Sequence, residues 1–215
     1  MTKLKIDIVS DVVCPWCTVG YKHLEKAIDE LGVKDQVEIE WQPFELNPEM
    51  PVEGQNVNEH IAQKYGSTPE QQAESKRNLT AVGAKAGFKF DYFDEMRMVN
   101  TFDAHVLLEY AKEFGKQTEL KMRLTTAFFS ERKDVSDLAI LKQALLDVGL
   151  DAEEGMARID NKEARTEVSQ HQEYWKSLGI NSVPTFVFNR KSAASGALPV
   201  ESFKQALTEL LAEKA

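Results

Sequence analysis

The sequence predicts an α/β protein carrying a large helical insertion, on three observations. An alternating strand, an amphipathic helix and a second alternating strand open the chain. Helical periodicity then runs from about residue 56 to 150, and a β-branched and aromatic run near residue 185 returns the chain to strand before a closing helix. The opening strand, helix and strand imply a parallel pair joined by a right-handed crossover. The late run is expected to pair beside the first strand.

The first strand is LKIDIV, residues 4–9, in which apolar and polar side chains alternate. A helix follows from Trp16, with Val19, Leu24, Ala27, Ile28 and Leu31 on one side and Gly32 as its stop. VEIEWQPF, residues 37–44, alternates again and is ended by the turn signals Pro43 and Pro48. HIAQKYG, LTAVGAKAGF, AHVLLEYAKEFG, LKMRLTTAFFSE and LAILKQALLDVGL then read as separate amphipathic segments. At least one further helix lies within residues 152–178. SVPTFVFN is a short strand, continued through Arg190 and Lys191 as a hairpin to Ala193, Ala194, Ser195 and Gly196. Residues 199–213 close as a helix with Pro199 in its first turn and Phe203, Leu207, Leu210 and Leu211 facing inward.

Composition narrows the functions available. With 42% hydrophobic and 28% charged residues the chain is of ordinary globular make-up, not disordered. A net charge of -9 without a dense run of Lys or Arg excludes a nucleic-acid partner, because neutralising phosphates needs clustered cations. No run approaches the ~20 apolar residues that span a bilayer, so no membrane partner is expected. The start, MTKLKIDIVSD, places an acid inside what would have to be a signal's apolar core, and the expected location is cytoplasmic.

The only two cysteines, Cys14 and Cys17, stand in SDVVCPWC at the junction of the first strand and helix. In a reducing compartment so short a loop makes a poor structural staple. A redox cysteine instead needs something that stabilises negative sulfur. Cys14 at the helix N-cap would accept from the amides of Trp16 and Cys17, with Pro15 at the first helical position and Cys17 one turn in as resolving thiol. Trp16 is uncharged, which places the couple among intermediate to weak oxidants, reductants or isomerases, with a Cys14 pKa above the ~3.5 floor of redox thiols. The alternatives are half of a zinc site and two small buried hydrophobes. Zinc needs two further ligands, and His23, His60, His105 and His171 show no paired spacing, so no metal is expected. Val183-Pro184-Thr185 is the second candidate element: a cis proline would set Val183's backbone beside Cys14 for an extended substrate, and a trans proline would merely open an edge strand.

SDVVCPWC at 10–17, PFELNP at 43–48 with the following MPVEG, NTFDAH at 100–105, GINSVPTFVFN at 179–189 and SGALP at 195–199 carry a resemblance over nearly the whole chain. The sequence resembles the DsbA-like oxidoreductases of the thioredoxin superfamily, and more closely their FrnE-like branch. The resemblance implies a thioredoxin fold formed by residues 1–50 and 155–215, interrupted by an α-helical domain at 51–154. It also implies Cys14 as nucleophile and a cis Pro184. Asn100 and His105 would line the cleft facing Cys14, unless Asn100 or Thr101 simply caps a helix. Phe90, Tyr92, Phe93, Met96 and Met98 are candidate apolar walls or ordinary core. The chain also departs from the family. Ile8 stands where thioredoxin and DsbA bury an acid, which makes Asp11 the candidate for proton transfer with the resolving thiol. Val106 stands where the branch commonly has Arg, and no extra cysteines supply a second redox pair.

The expected activity is thiol-disulfide exchange with a protein or small-molecule thiol or disulfide, with no cofactor beyond glutathione as a redox partner, in a monomer or dimer. Two alternatives are a glutathione-dependent isomerase or transferase, in which the first cysteine is typically changed, and a non-catalytic peptide-binding or holdase protein.

Overall fold

The computed structural model describes residues 3–213, so residues 1–2 and 214–215 of the expected outer segments lie outside the described residues. β1 (Leu4–Ser10) runs straight into α1 (Pro15–Leu31), and β2 (Val37–Pro43) returns parallel to β1 with Ile8 opposite Trp41. A short pair follows, β3 (Gln55–Asn56) with β4 (Arg97–Met98), enclosing α2 (Val57–Tyr65) and α3 (Pro69–Lys85). Next come α4 (Phe102–Glu113), α5 (Gln117–Phe129), α6 (Leu138–Asp147), α7 (Ala152–Ile159) and α8 (Lys162–Ser177). β5 (Thr185–Phe188) and β6 (Ser192–Ser195) complete the sheet, and α9 (Val200–Ala212) closes the chain. The sheet order is β2-β1-β5-β6, with β5 antiparallel to β1 and β6 antiparallel to β5. This is the α/β thioredoxin fold with inserted helices that the sequence predicts. Among the described residues no helix is long and apolar enough to cross a membrane.

β1 is central because almost every residue in it is buried on both faces. On one face Ile6 and Ile8 pack with Leu24 and Ile28 of α1, Phe186 of β5, and Phe203 and Leu207 of α9. The close approach of α1 needs Gly20, because a Cβ there would lie 3.0 Å from the Phe186 ring and 3.3 Å from the Ala197 backbone. On the other face Val9 and Val187 meet Phe44 and Trp175 of α8. A separate cluster holds the helices together around Leu107, Leu120, Leu124, Phe128 and Leu141. Val12, Val13 and Val19 belong to this cluster, so the turn after β1 is clamped between the sheet and the helices. The expected boundary between residues 154 and 155 falls inside α7, whose Ala152 and Ile159 pack in the helical cluster.

β2 is an edge strand, and the helices cover it with polar groups rather than leaving its backbone bare. Gln117 of α5 accepts from the Trp41 amide at 2.8 Å and donates to the Trp41 carbonyl at 2.9 Å. Gln172 of α8 likewise accepts from the Glu45 amide at 3.0 Å and donates to its carboxylate at 2.9 Å. These pairs bind the helical body to the strand beside the cysteines.

Candidate active site

Cys14 occupies the N-cap of α1 with extended backbone (φ -94°, ψ 110°), and Pro15 takes the first helical position. The helix leaves its first amides unpaired, and the Cys17 N–H donates to the Cys14 Sγ at 3.4 Å. The expected second donor, the Trp16 amide, makes no such bond. From across the sheet the Val183 carbonyl lies 3.9 Å from the same sulfur, which donates to it as a thiol. The Val183–Pro184 bond is cis. Two elements 169 residues apart therefore meet at one sulfur atom.

Both cysteines are free and buried, Cys14 at 4% exposure and Cys17 at 1%. Trp16 beside them is 40% exposed. Burial pushes the Cys14 thiol up, and the neighbouring Cys17 and Asp11 charges add to it. Cys17 goes the other way: burial raises it, but the Cys14 hydrogen bond, the Lys121 charge and the Ser10 hydroxyl outweigh burial and bring it down. The two sulfurs therefore titrate as one pair, with its negative charge favoured on the side nearer the buried lysine. One helix-terminal amide in a dry site does not outweigh desolvation at Cys14, whereas at Cys17 the Cys14 hydrogen bond and a buried cation together do.

That cation is Lys121 of α5, 2% exposed, with no hydrogen-bond partner for its buried Nζ. The ammonium lies 5.1 Å from the Trp41 ring centroid. Burial pulls its pKa down, opposed by the charges of Cys17, Asp11 and Cys14. Lys121 is the residue that the sequence reading missed. Its signal was position, since it interrupts the buried stripe Leu120, Leu124, Thr125 and Phe128 of α5.

Asp11 is fully enclosed. Its Oδ1 accepts from the Val12 amide at 2.7 Å, its Oδ2 accepts from the Leu46 amide at 2.8 Å, and His105 Nε2 lies 3.4 Å from Oδ1. Burial would raise this carboxyl, but His105, the Leu46 amide and Lys121 together hold it below the ordinary carboxylate value. Such a carboxylate is a weak base, which argues against Asp11 as the direct proton acceptor. His105 is 2% exposed and faces Asp11, not an open cleft. Asn100 accepts from the Phe102 amide at 2.9 Å, the helix-entry reading of that residue. Pro15 and Trp16 stand at the surface rim, and Pro184 is buried at the start of β5.

Among the described residues Glu109, Glu167 and His171 bring possible metal ligand atoms within 4.8 Å of one another. His171 Nδ1 already lies 3.3 Å from Glu109 and Lys112 lies 3.5 Å from it, so an ion would displace existing partners.

A family model described as DSBA-like thioredoxin domain matches residues 5–208. The chain is similar to a crystal structure described as a "probable DsbA oxidoreductase" from Streptomyces coelicolor, at 35% identity and a TM-score of 0.91, covering 99% of this chain and 92% of that one. It is 28% identical over 207 residues to the uncharacterized protein YwbO of Bacillus subtilis (strain 168), covering 95% of this chain and 96% of YwbO. The cytosolic disulfide reductase DsbM from Pseudomonas aeruginosa, solved with GSH, shares the fold at 15% identity and a TM-score of 0.67, over 97% of this chain and 99% of that one.

Proposed function

Because the chain belongs to the DSBA-like thioredoxin domain family, we propose that it exchanges disulfides with protein or small-molecule thiols through Cys14 and Cys17, with Cys14 as the attacking sulfur. The observation that carries this reading is the meeting of a helix-terminal amide and the Val183 carbonyl at the Cys14 sulfur, the more exposed of the two.

The reduced pair behaves as one acid whose remaining proton is shared between two sulfurs. Once the pair has lost its first proton, the charge is favoured on the Cys17 side by the Cys14 hydrogen bond and then by Lys121. When a substrate disulfide reaches the rim, the Cys14 proton passes to Cys17 along the contact between them. The Cys14 thiolate, held by the Cys17 amide, attacks one substrate sulfur; a new S–S bond forms and the other substrate sulfur leaves as thiolate, protonated from solvent. Cys17 then loses its proton, which Lys121 favours, and attacks the Cys14 sulfur. The second substrate thiol departs, leaving the substrate reduced by two electrons and the Cys14–Cys17 disulfide formed. Run backwards, the same steps oxidise a dithiol. Asp11 offsets the charge of Lys121 and, held below the ordinary carboxylate value, is not itself the base.

An extended substrate strand would lie along Val183 and against Pro15 and Trp16. The uncharged Trp16 and the burial of Cys14 both support a weak oxidant, isomerase or reductant. We place the reaction in the cytoplasm with glutathione as the resetting thiol, on the example of DsbM. Retention of both cysteines favours electron exchange over a glutathione-dependent isomerisation.

Trapping tests this reading. Cys17→Ser should accumulate a mixed disulfide with substrate at Cys14, detected by mass after acid quench, and Cys14→Ser should accumulate none. An unreactive Cys14 in the Cys17→Ser variant would overturn it.

A further inference from the structure

Beside the cysteines lies a cavity of about 180 Å³ that this exchange does not use. Val13 and Pro15, the two neighbours of Cys14, form its floor, and Tyr92, Met96, Phe128 and Phe129 are among its walls. A hydrocarbon-lined cavity of about 150 Å³ takes up a benzene ring, so this one has room for a single six-membered ring. The walls suit such a guest. Phe129 meets Tyr92 nearly edge-on with centroids 6.3 Å apart, and Phe90, behind the wall, stacks on Tyr92 at 5.9 Å. A ring entering there would meet aromatic edges and Met sulfur.

Ser67, Gln71, Gln72, Ser75 and Lys76 supply a polar side to the lining, and one polar group within it is left without a partner. The Tyr92 hydroxyl oxygen is buried and has no hydrogen-bond partner. Burial, and next the nearby Cys14, push its pKa up, so it stays a donor at any working pH. Lys76 lies 5.9 Å from the Tyr92 ring centroid but spends its charge on Asn58 Oδ1 at 2.6 Å, leaving the hydroxyl unanswered. A buried donor without an acceptor is costly until something supplies one.

We propose that this cavity is a substrate pocket that receives an aromatic ring carried next to the sulfur attacked by Cys14, with an acceptor on that group, such as a carbonyl, taking a hydrogen bond from Tyr92. The assignment rests on the oxidoreductase reading above and adds the substrate class. The chemistry is the same exchange: Cys14 bonds to the sulfur bearing the ring, its partner thiolate leaves, and Cys17 releases the ring-bearing thiol as the enzyme disulfide closes. Two electrons pass from the dithiol to the substrate in one turnover, and no further reactant is needed.

Single-turnover oxidation of the reduced protein, followed by quench and mass, tests it with two pairs of disulfides. The first pair is oxidised N-benzoylcysteamine and oxidised N-acetylcysteamine. The second is the disulfide dimers of acetyl-Phe-Cys-amide and acetyl-Ala-Cys-amide. The expected result is a rate constant at least about tenfold higher for the ring-bearing member of a pair. Ser75→Trp, which fills the cavity from α3, should bring that ratio close to one, and Tyr92→Phe should lower it about fivefold. A preference in the cysteamine pair identifies a low-mass substrate; a preference confined to the peptide pair identifies a protein one. Equal rates within both pairs, or a preference untouched by both variants, would overturn the pocket while leaving the oxidoreductase reading standing. Oxidation by none of the four would remove that reading and the pocket with it.

Discussion

Replacing Lys121 by Met keeps the bulk of the stem and removes the one buried cation facing Cys17. Water does not screen that group, since its Nζ is buried and makes no hydrogen bond, and Asp11 is the neighbouring countercharge. Opposite charges within the ~4–6 Å range that shifts a pKa interact by roughly 3 kcal/mol at an effective dielectric constant of about 20, about a hundredfold in thiolate population. Part of this returns, because a more basic thiolate is a better nucleophile along a Brønsted slope of about 0.4 to 0.5. The net expectation at pH 7 is resolution of the mixed disulfide about tenfold slower than in the parent. Rapid mixing with a slight excess of substrate disulfide, acid quench and mass analysis give the lifetime of the Cys14 adduct directly. The pH profile carries the discriminating result. Once Cys17 is ionised in both proteins, Lys121→Met should be the faster, so the two curves cross. A variant slower by the same factor at every pH would show a structural defect and refute the electrostatic role, as would a variant indistinguishable from the parent.

Three further outcomes follow from neighbouring charges. Asp11 raises the Cys14 thiol through its negative charge, so Asp11→Asn should move the pH midpoint of Cys14 alkylation downward; a profile unchanged or moved upward would contradict the assigned charge balance. At Glu40, burial is outweighed by Lys112 at 2.7 Å and Lys5 at 2.5 Å, which hold the carboxylate at about 2. A depressed carboxylate stabilises the fold above its unfolded value and loses this as pH falls through the folded one. Denaturant titration of Glu40→Gln should therefore show a loss of about 2 kcal/mol at pH 7, allowing for screening at the half-exposed lysines, that shrinks between pH 4.5 and about 2. Asp7 is the reverse case: burial raises its carboxyl above the ordinary value, with Lys5, Gln42 and Arg190 opposing. Its contribution is complete below the unfolded value of 3.8 and is lost as pH rises, so Asp7→Asn should stabilise the protein at pH 7 by about 1 kcal/mol and progressively less in acid. A destabilised Asp7→Asn protein at pH 7 would refute this.

The parts of this site that the sequence discloses are those written in local chemistry. Cys14, Pro15 and Cys17 announce an N-cap because a helix start has only a few chemical forms, and the structure places Cys14 there. TFVF announces a buried strand by composition, and Phe186 pairs opposite Ile8. Residues whose role depends on distant packing stay hidden. Lys121 reads as one more helix lysine until α5 is seen against Trp41 and Cys17. His105 has a polar side chain at a helix face, and only the position of Asp11 shows why it is buried. The first half of α3 has no large apolar residue to give it a periodicity, yet Thr68 and Gln71 form a reciprocal capping box that marks its start. β3 and β4 are two residues each, too short for any periodicity to register.

An equilibrium redox titration of the Cys14/Cys17 couple against glutathione, read by the fluorescence of exposed Trp16, tests the central claim most directly. One reversible two-electron transition is expected between about -270 mV, the thioredoxin value, and about -180 mV, below the ~-120 mV of DsbA. A transition at the DsbA end would contradict the assignment of strength, and failure of the two sulfurs to form a reversible disulfide at any potential would contradict the exchange chemistry itself.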